Sequence, residues 1–250
     1  MTRVESAPGF FGKVSSQGDF VSRRLPPHVL NAWDAWLQSC IQASRLQLDA
    51  AWLQTYLTSP VWRFMLAPGI VDEQAWGGVL MPSVDRVGRH FPLMISAGAA
   101  GGASLLDWLE NGKQWYDAIE DLALSSLEAD FRLDDFDAAL LARTGLPAGA
   151  EAGAGAAAGR AAGPQAGWRF PSAGLDQIKS ELPSLAANMA HSLLAGHSLW
   201  WTDGSQQVMP SVLLCRGLPE PSAFAAMLDG SWQRDGWQSG VTVDASAALP

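Results

Sequence analysis

Residues 76–97, WGGVLMPSVDRVGRHFPLMISA, set two uninterrupted apolar runs on either side of a short polar insert. Gly78-Val79-Leu80-Met81 and Phe91-Pro92-Leu93-Met94-Ile95 lack the polar gaps of an amphipathic helix, which predicts strands buried on both faces. Pro82 ends the first run by removing a backbone donor, and Gly88 permits a positive φ or a close backbone approach in the connection. The reading is a central hairpin with a loop held in one shape. That loop concentrates Ser83, Asp85, Arg86, Arg89 and His90, and these five are the candidate functional residues. Two roles are open to them. Asp85 pairs with Arg86 or Arg89 and caps loop amides, which only fixes the turn; or the guanidinium forks and the imidazole face a phosphate, a carboxylate or a partner.

Upstream of the hairpin, Gly9-Phe10-Phe11-Gly12-Lys13-Val14 reads as a first strand and Ser15 to Phe20 as a turn. Asp19 is either an Asx residue of that turn or a carboxylate rimmed by Lys13, Arg23 and Arg24. A long helix starts at Pro26-Pro27, because proline suits a first turn and Leu30, Trp33, Trp36, Leu37, Cys40 and Ile41 then recur at three- and four-residue spacing. A second helical piece, Ala50 to Leu57, sends Trp52, Leu53 and Tyr56 toward the core, and this stripe of Trp reads as packing. After the break at Thr58-Ser59-Pro60, Val61 to Leu66 alternates as a strand facing two environments.

Downstream, Ser104 to Leu109 looks like a capped helical turn and Lys113 to Glu128 a longer helix with Trp115, Ile119, Leu122 and Ser126 on one face. Asp134 to Arg143 starts acidic and ends basic, which complements a helix dipole. Glu128, Asp130, Asp134, Asp135 and Asp137 read as a solvated face, or else as a patch for a basic partner. Residues 147–167, PAGAEAGAGAAAGRAAGPQAG, have no large apolar side chain to offset the entropy of ordering and predict a linker or loop. Beyond it come helical pieces at 176–180 and 183–191, a strand His197 to Thr202, a turn Asp203-Gly204-Ser205, and a return strand Val208 to Cys215 in which Pro210 signals an edge or a late start. A short helix covers Pro221 to Leu228, and the Ser/Gly/Ala-rich tail from 231, with Trp232 and Trp237, is expected to be loosely attached.

Composition narrows function by exclusion. A net charge of −9 over 250 residues lacks the clustered cations that nucleic-acid phosphates need. Twelve Trp against two Tyr supply core, with some expected at a partner surface. Cys40 and Cys215 lie far apart and read as small buried hydrophobes, and His28, His90, His191 and His197 form no zinc spacing. The N-terminus has no signal-peptide core and the chain no run of eighteen apolar residues, so a cytoplasmic protein without membrane insertion is expected. No GxSxG occurs, and the Gly-rich tract lacks a phosphate-loop ending. A hydrolase built on the loop would need a second acid or base, for which Asp19 is the one neighbour to propose.

Three separated segments, GFFGKVSSQGDFV at 9–21, TSPVWRF at 58–64 and GVLMPSVDRVGRHFPL at 78–93, agree in order and spacing with the N-terminal region of the TagF (ImpM) family. SLWWTDG at 198–204 is a weaker echo, which adds Trp200, Trp201 and Thr202 as possible neighbours of the loop. The resemblance implies a cytoplasmic accessory of the bacterial type VI secretion system that represses it post-translationally by engaging its forkhead-associated scaffold protein. It also implies a stand-alone repressor, since the aspartate motifs of the PP2C-type phosphatase fused to some members are absent. No cofactor, metal or catalytic residue is then expected. The competing reading is a small-ligand or phosphate-binding enzyme using the Asp85–His90 loop.

The fold expected from the periodicities is α/β: a layered sandwich with a mixed, mostly antiparallel sheet covered by helices on both faces. Residues 1–146 form its core, 147–167 the linker or loop, and 168–230 a C-terminal part whose hairpin joins the same sheet.

Overall fold

The central hairpin forms, and the sheet is built outward from it. In a computed structural model, which describes residues 7–99, 108, 111–143, 194–233 and 236–239, the strands are β1 (Gly9–Gly12), β2 (Val21–Arg23), β3 (Trp62–Leu66), β4 (Trp76–Met81), β5 (Leu93–Gly98), β6 (His197–Thr202) and β7 (Ser211–Arg216). Their order is β2-β1-β5-β4-β3-β6-β7. Every neighbouring pair is antiparallel, so the sheet expected to be mixed and mostly antiparallel is antiparallel throughout its named strands.

β4 is buried at all six positions, as a strand covered on both sides must be. Alternation along the strands divides two cores. Phe11, Phe64, Leu80, Met94 and Trp200 face α1 (Pro27–Leu48), α2 (Trp52–Leu57) and a short C-terminal helix, here α5 (Phe224–Asp229). Phe10, Met65, Val79, Leu93 and Ile95 face α3 (Lys113–Ser125) and α4 (Leu133–Leu141). The molecule is thus a layered α/β sandwich with helices on both faces of one antiparallel sheet.

The Trp stripe of α1 is packing. Trp33 lies 4.8 Å from the Phe64 ring, Trp36 lies 5.6 Å from Trp200, and Phe64 lies 5.1 Å from Trp200. Gly78 lets these rings approach the sheet: a Cβ there would come within 2.0 Å of the Ile95 carbonyl oxygen and 2.8 Å of the Phe64 ring tip. Among the described residues Trp115, Trp201, Trp232 and Trp237 are half-buried and the other Trp side chains are buried.

Several boundaries differ from the sequence reading for identifiable reasons. Strand β5 begins at Leu93 because Phe91 and Pro92 still belong to the loop, where Phe91 donates to the Ser83 carbonyl. Of the face expected for α3, Ile119 and the following Ser126 are buried and Trp115 and Leu122 are half-buried against the core, while Tyr116 and Ala123 take the innermost positions, the Tyr116 hydroxyl reaching into the sheet to donate to the Phe64 carbonyl at 3.0 Å. Leu53 stays exposed on α2, the second helical piece. The β6–β7 connection runs to Pro210, so β7 starts late, at Ser211. Cys40 is buried, but Cys215 is only half-buried on the edge strand.

The tail is held at its start: Trp232 meets the Trp62 ring edge-on at 6.2 Å, and the Trp237 indole donates to the Ala223 carbonyl at 2.8 Å. Asp137 is not simply solvated. It binds Arg24 at 2.5 Å and faces Arg23 at 4.0 Å, tying α4 to the strand next to it. The turn expected at 104–109, apart from Trp108, the linker at 147–167 and the helical pieces at 176–180 and 183–191 lie outside the described residues.

Candidate functional site

The loop after β4 continues the hairpin before it turns. Val84 and His90 make an isolated antiparallel bridge, the Asp85 amide donates to the Arg89 carbonyl at 3.0 Å, and the Gly88 amide donates to the Asp85 carbonyl at 3.0 Å. Gly88 has φ +83°. A tight turn followed by a left-handed glycine is the usual way to close a three-residue hairpin loop, and it requires the residue that the sequence supplies.

Asp85 is the hub. Its side chain is fully buried, and both oxygens are spent. Oδ1 accepts from the amides of Val87 at 3.0 Å and Arg89 at 2.8 Å; Oδ2 accepts from the Lys13 ammonium and from Arg89 Nε at 2.7 Å. Burial alone pushes this carboxyl up. The Lys13 ammonium, the Arg89 amide and guanidinium and the Val87 amide together outweigh burial and hold it well below the usual carboxylate range. The group is therefore held as the anion at neutral pH, with both oxygens occupied by these four donors.

Lys13 follows directly on β1, and its side chain is almost as buried as its partner's. Its ammonium also lies 4.8 Å from the centroid of Phe20. The loop from Ser15 to Phe20 is fastened to the hairpin loop by the Arg86 amide donating to the Gln17 carbonyl at 2.9 Å and by the Arg89 guanidinium donating to the Gly18 carbonyl. Beneath them Ser83 is locked from two sides: its hydroxyl donates to the Lys13 carbonyl at 2.8 Å, its amide donates to the Tyr56 hydroxyl at 2.9 Å, and that hydroxyl donates to the Ser83 carbonyl at 3.0 Å. Strands β1 and β4 and helix α2 thus meet in one polar knot at one end of the sheet.

The residues singled out from the sequence divide accordingly. Ser83 and Asp85 are buried in the knot, where the internal role fits them. Between the two pairings left open for Asp85, Arg89 is the one made. Arg86 is exposed and, among the described ion pairs, has no carboxylate. His90 is half-buried, its ring edge-on to Trp52 at 6.1 Å and to Tyr56 at 5.9 Å. Asp19 is exposed, and its carboxylate accepts from the amide of the next residue, Phe20, at 2.8 Å rather than from the amide two residues on that an Asx turn would use. The basic rim proposed around it does not form, because Lys13 goes to Asp85 and Arg23 and Arg24 go to Asp137.

Trp200, Trp201 and Thr202 are on β6, separated from β4 by β3. Trp200 is in the core, Trp201 packs on Tyr116 at 4.7 Å, and Thr202 accepts from the Gly204 amide at 3.0 Å, so they do not join the loop. Lys13, which the sequence reading set beside Asp19, and Tyr56, which it set in the core, are the members of the knot it did not place at the loop. A lysine inside the apolar run GFFGKV was the signal for the first, since a cation in a buried strand implies an anion to meet it. Tyr56 carried no signal separable from packing.

Among the described residues, no three His, Cys, Asp or Glu side chains converge as metal ligands, and no helix is long and apolar enough to cross a membrane. The arrangement sets the exposed Arg86 and Arg89 above a buried carboxylate whose oxygens are occupied by internal donors.

No curated protein matches the sequence. Its fold is similar to the crystal structure of PA0076 from Pseudomonas aeruginosa PAO1, with a TM-score of 0.74 and 34% sequence identity over 94% of this chain and 100% of that one. A model of the TagF N-terminal domain, described as type VI secretion system-associated, matches residues 9–142, from the first residue of β1 to just beyond α4, with the whole polar knot inside it. The chain belongs to the TagF N-terminal domain family of type VI secretion system-associated proteins.

Proposed function

We propose that this chain is a cytoplasmic, post-translational repressor of a bacterial type VI secretion system that acts by binding the system's forkhead-associated scaffold protein, and that it is not an enzyme. The observation that carries this reading is the family match across residues 9–142. The state of Asp85 supports the non-enzymatic half. A catalytic carboxylate must exchange a proton or contact a substrate, whereas this one is closed off by four donors and held ionised. The same closure speaks against a ligand-binding enzyme built on the loop.

The test is made in a type VI-competent bacterium lacking its own copy of the gene. Expression of the chain is expected to lower secretion of a type VI substrate without lowering the level of its transcript, and the tagged chain is expected to retain the purified scaffold. Unchanged secretion together with no retention of the scaffold would refute the proposal.

A further inference from the structure

Between the last turns of α1 and the knot lies a cleft of about 560 Å³ to which nothing above assigns a role. Ile41 and Phe91 give it an apolar floor, and Phe20 and Leu46 stand at its rim with 46% and 79% of their surface exposed. These are large apolar side chains held open to solvent. The Phe20 ring is fixed by stacking on Phe11 at 5.7 Å and by an edge contact with Phe91 at 4.9 Å. Two guanidiniums flank it, and both are fixed too: Arg45 lies 4.2 Å over the Trp52 ring, and Arg89 is held by Asp85 and the Gly18 carbonyl.

The charge of this cleft runs against that of the protein. On a chain of net charge −9, the ionised side chains that line it are Lys13, Arg45 and Arg89, all cations. Asp85 offsets one of them from beneath and is buried. Among the described residues no carboxylate lines the cleft; besides Asp85, the nearest in sequence, Asp19, Asp34 and Asp49, lie on the flanking segments outside the lining. Fixed cations beside fixed, exposed apolar surface select a ligand that offers both carboxylates and an apolar side chain. A small anion would leave Phe20 and Leu46 idle.

We infer that this cleft seats an acidic segment of the scaffold protein, with an apolar side chain set against Phe20 and Leu46 and carboxylates on Arg45 and Arg89. The inference rests on the repressor reading above and adds to it the surface and the chemistry of the partner.

The experiment measures binding of the purified chain to purified scaffold by interferometry, for wild type, Leu46→Asp, Arg45→Glu and, as a control on exposed charge elsewhere, Arg132→Glu. Circular dichroism confirms folding; Leu46 is exposed enough that its variant keeps the fold even if Arg45→Glu, which loses the Trp52 contact, does not. The expected result is a loss of about tenfold or more in affinity for Leu46→Asp and Arg45→Glu, none for Arg132→Glu, and weakening of the wild-type complex by salt. Wild-type binding that both cleft variants retain would overturn the cleft and leave the repressor reading intact. Absence of wild-type binding would overturn both. A melting-temperature increase with inorganic phosphate that Arg45→Glu abolishes, with scaffold affinity unaffected in Leu46→Asp, would identify a small anion as the occupant and overturn the inference.

Discussion

The Tyr56 hydroxyl gives the most direct check on how the loop is held. It accepts from the Ser83 amide at 2.9 Å and donates to the Ser83 carbonyl at 3.0 Å, with both residues buried. Tyr56→Phe removes the oxygen and keeps the ring, so the stack on Trp52 at 4.9 Å survives and no cavity opens. The Ser83 carbonyl retains the Phe91 amide at 3.1 Å. The Ser83 N–H retains no acceptor, and an orphaned buried donor costs about 2 kcal/mol. With a urea m-value of about 3 kcal/mol per molar, the unfolding midpoint falls by about 0.7 M. The measurement is urea denaturation followed by both Trp fluorescence and far-ultraviolet circular dichroism. Coincident curves within about 0.2 M of wild type would refute the reasoning, since Ser83 would then have an alternative partner and α2 would not be the clamp on the hairpin loop.

The remaining predictions concern the rest of the knot and the sheet. Asp85→Asn leaves the Lys13 ammonium buried without its counter-ion and should lower the urea midpoint more than Arg86→Ala, whose side chain is exposed; Lys13→Met combined with Asp85→Asn should recover part of the loss. The folded carboxyl of Asp85 lies below its ordinary value of 3.8, so its contribution to stability is complete above that pH and is lost as pH falls further. Acid titration of the midpoint should accordingly be steeper below that value for wild type than for Asp85→Asn. Gly78→Ala places a methyl group 2.0 Å from the Ile95 carbonyl oxygen, which the paired strand cannot withdraw, and should abolish accumulation of folded protein on expression; a soluble variant with the wild-type circular dichroism spectrum would contradict this. Burial pushes the Cys215 thiol up to about 11, despite an opposing hydrogen bond from Ser198, and pushes the fully buried Cys40 thiol higher. Thiol titration of the native protein near neutral pH should therefore be slow, with Cys215 reacting before Cys40, and both should react at once in denaturant.

Much of the scaffold is legible from local pattern. The uninterrupted runs around Pro82-to-His90 predict doubly covered strands, and β4 and β5 are buried on both faces. The three- and four-residue spacing from Leu30 to Ile41 predicts α1, with Pro27 in its first turn. These succeed because burial on one face or two imposes a period that a single segment records. The innermost place of Tyr116 on α3, ahead of the half-buried Trp115, was not recorded there, because the two are equally suited to burial and the tie is broken by the Phe64 carbonyl, about fifty residues away in the chain.

The loop divides in the same way. The left-handed choice at Gly88 and the commitment of Asp85 to the Val87 and Arg89 amides, each among the options left open, were decided by the fold, while that a short loop between two buried strands would gather Ser83, Asp85, Arg86, Arg89 and His90 was determined by the sequence alone. Family membership was also within its reach, since three separated segments carry their order and spacing without folding. Which cation meets Asp85 was decided only by tertiary structure. Arg86 is adjacent, Arg89 is four residues on, and Lys13 is 72 residues away, yet Lys13 and Arg89 make the contact because β1 pairs with β5 and delivers Lys13 to the base of the loop. That left Arg86 on the surface, and it set Arg89 and Arg45 in the lining of one cleft whose walls come from α1 and two loops. A sequence lists charges in order, but a field and a cleft are sums over neighbours in space, and those neighbours are chosen by strand pairing.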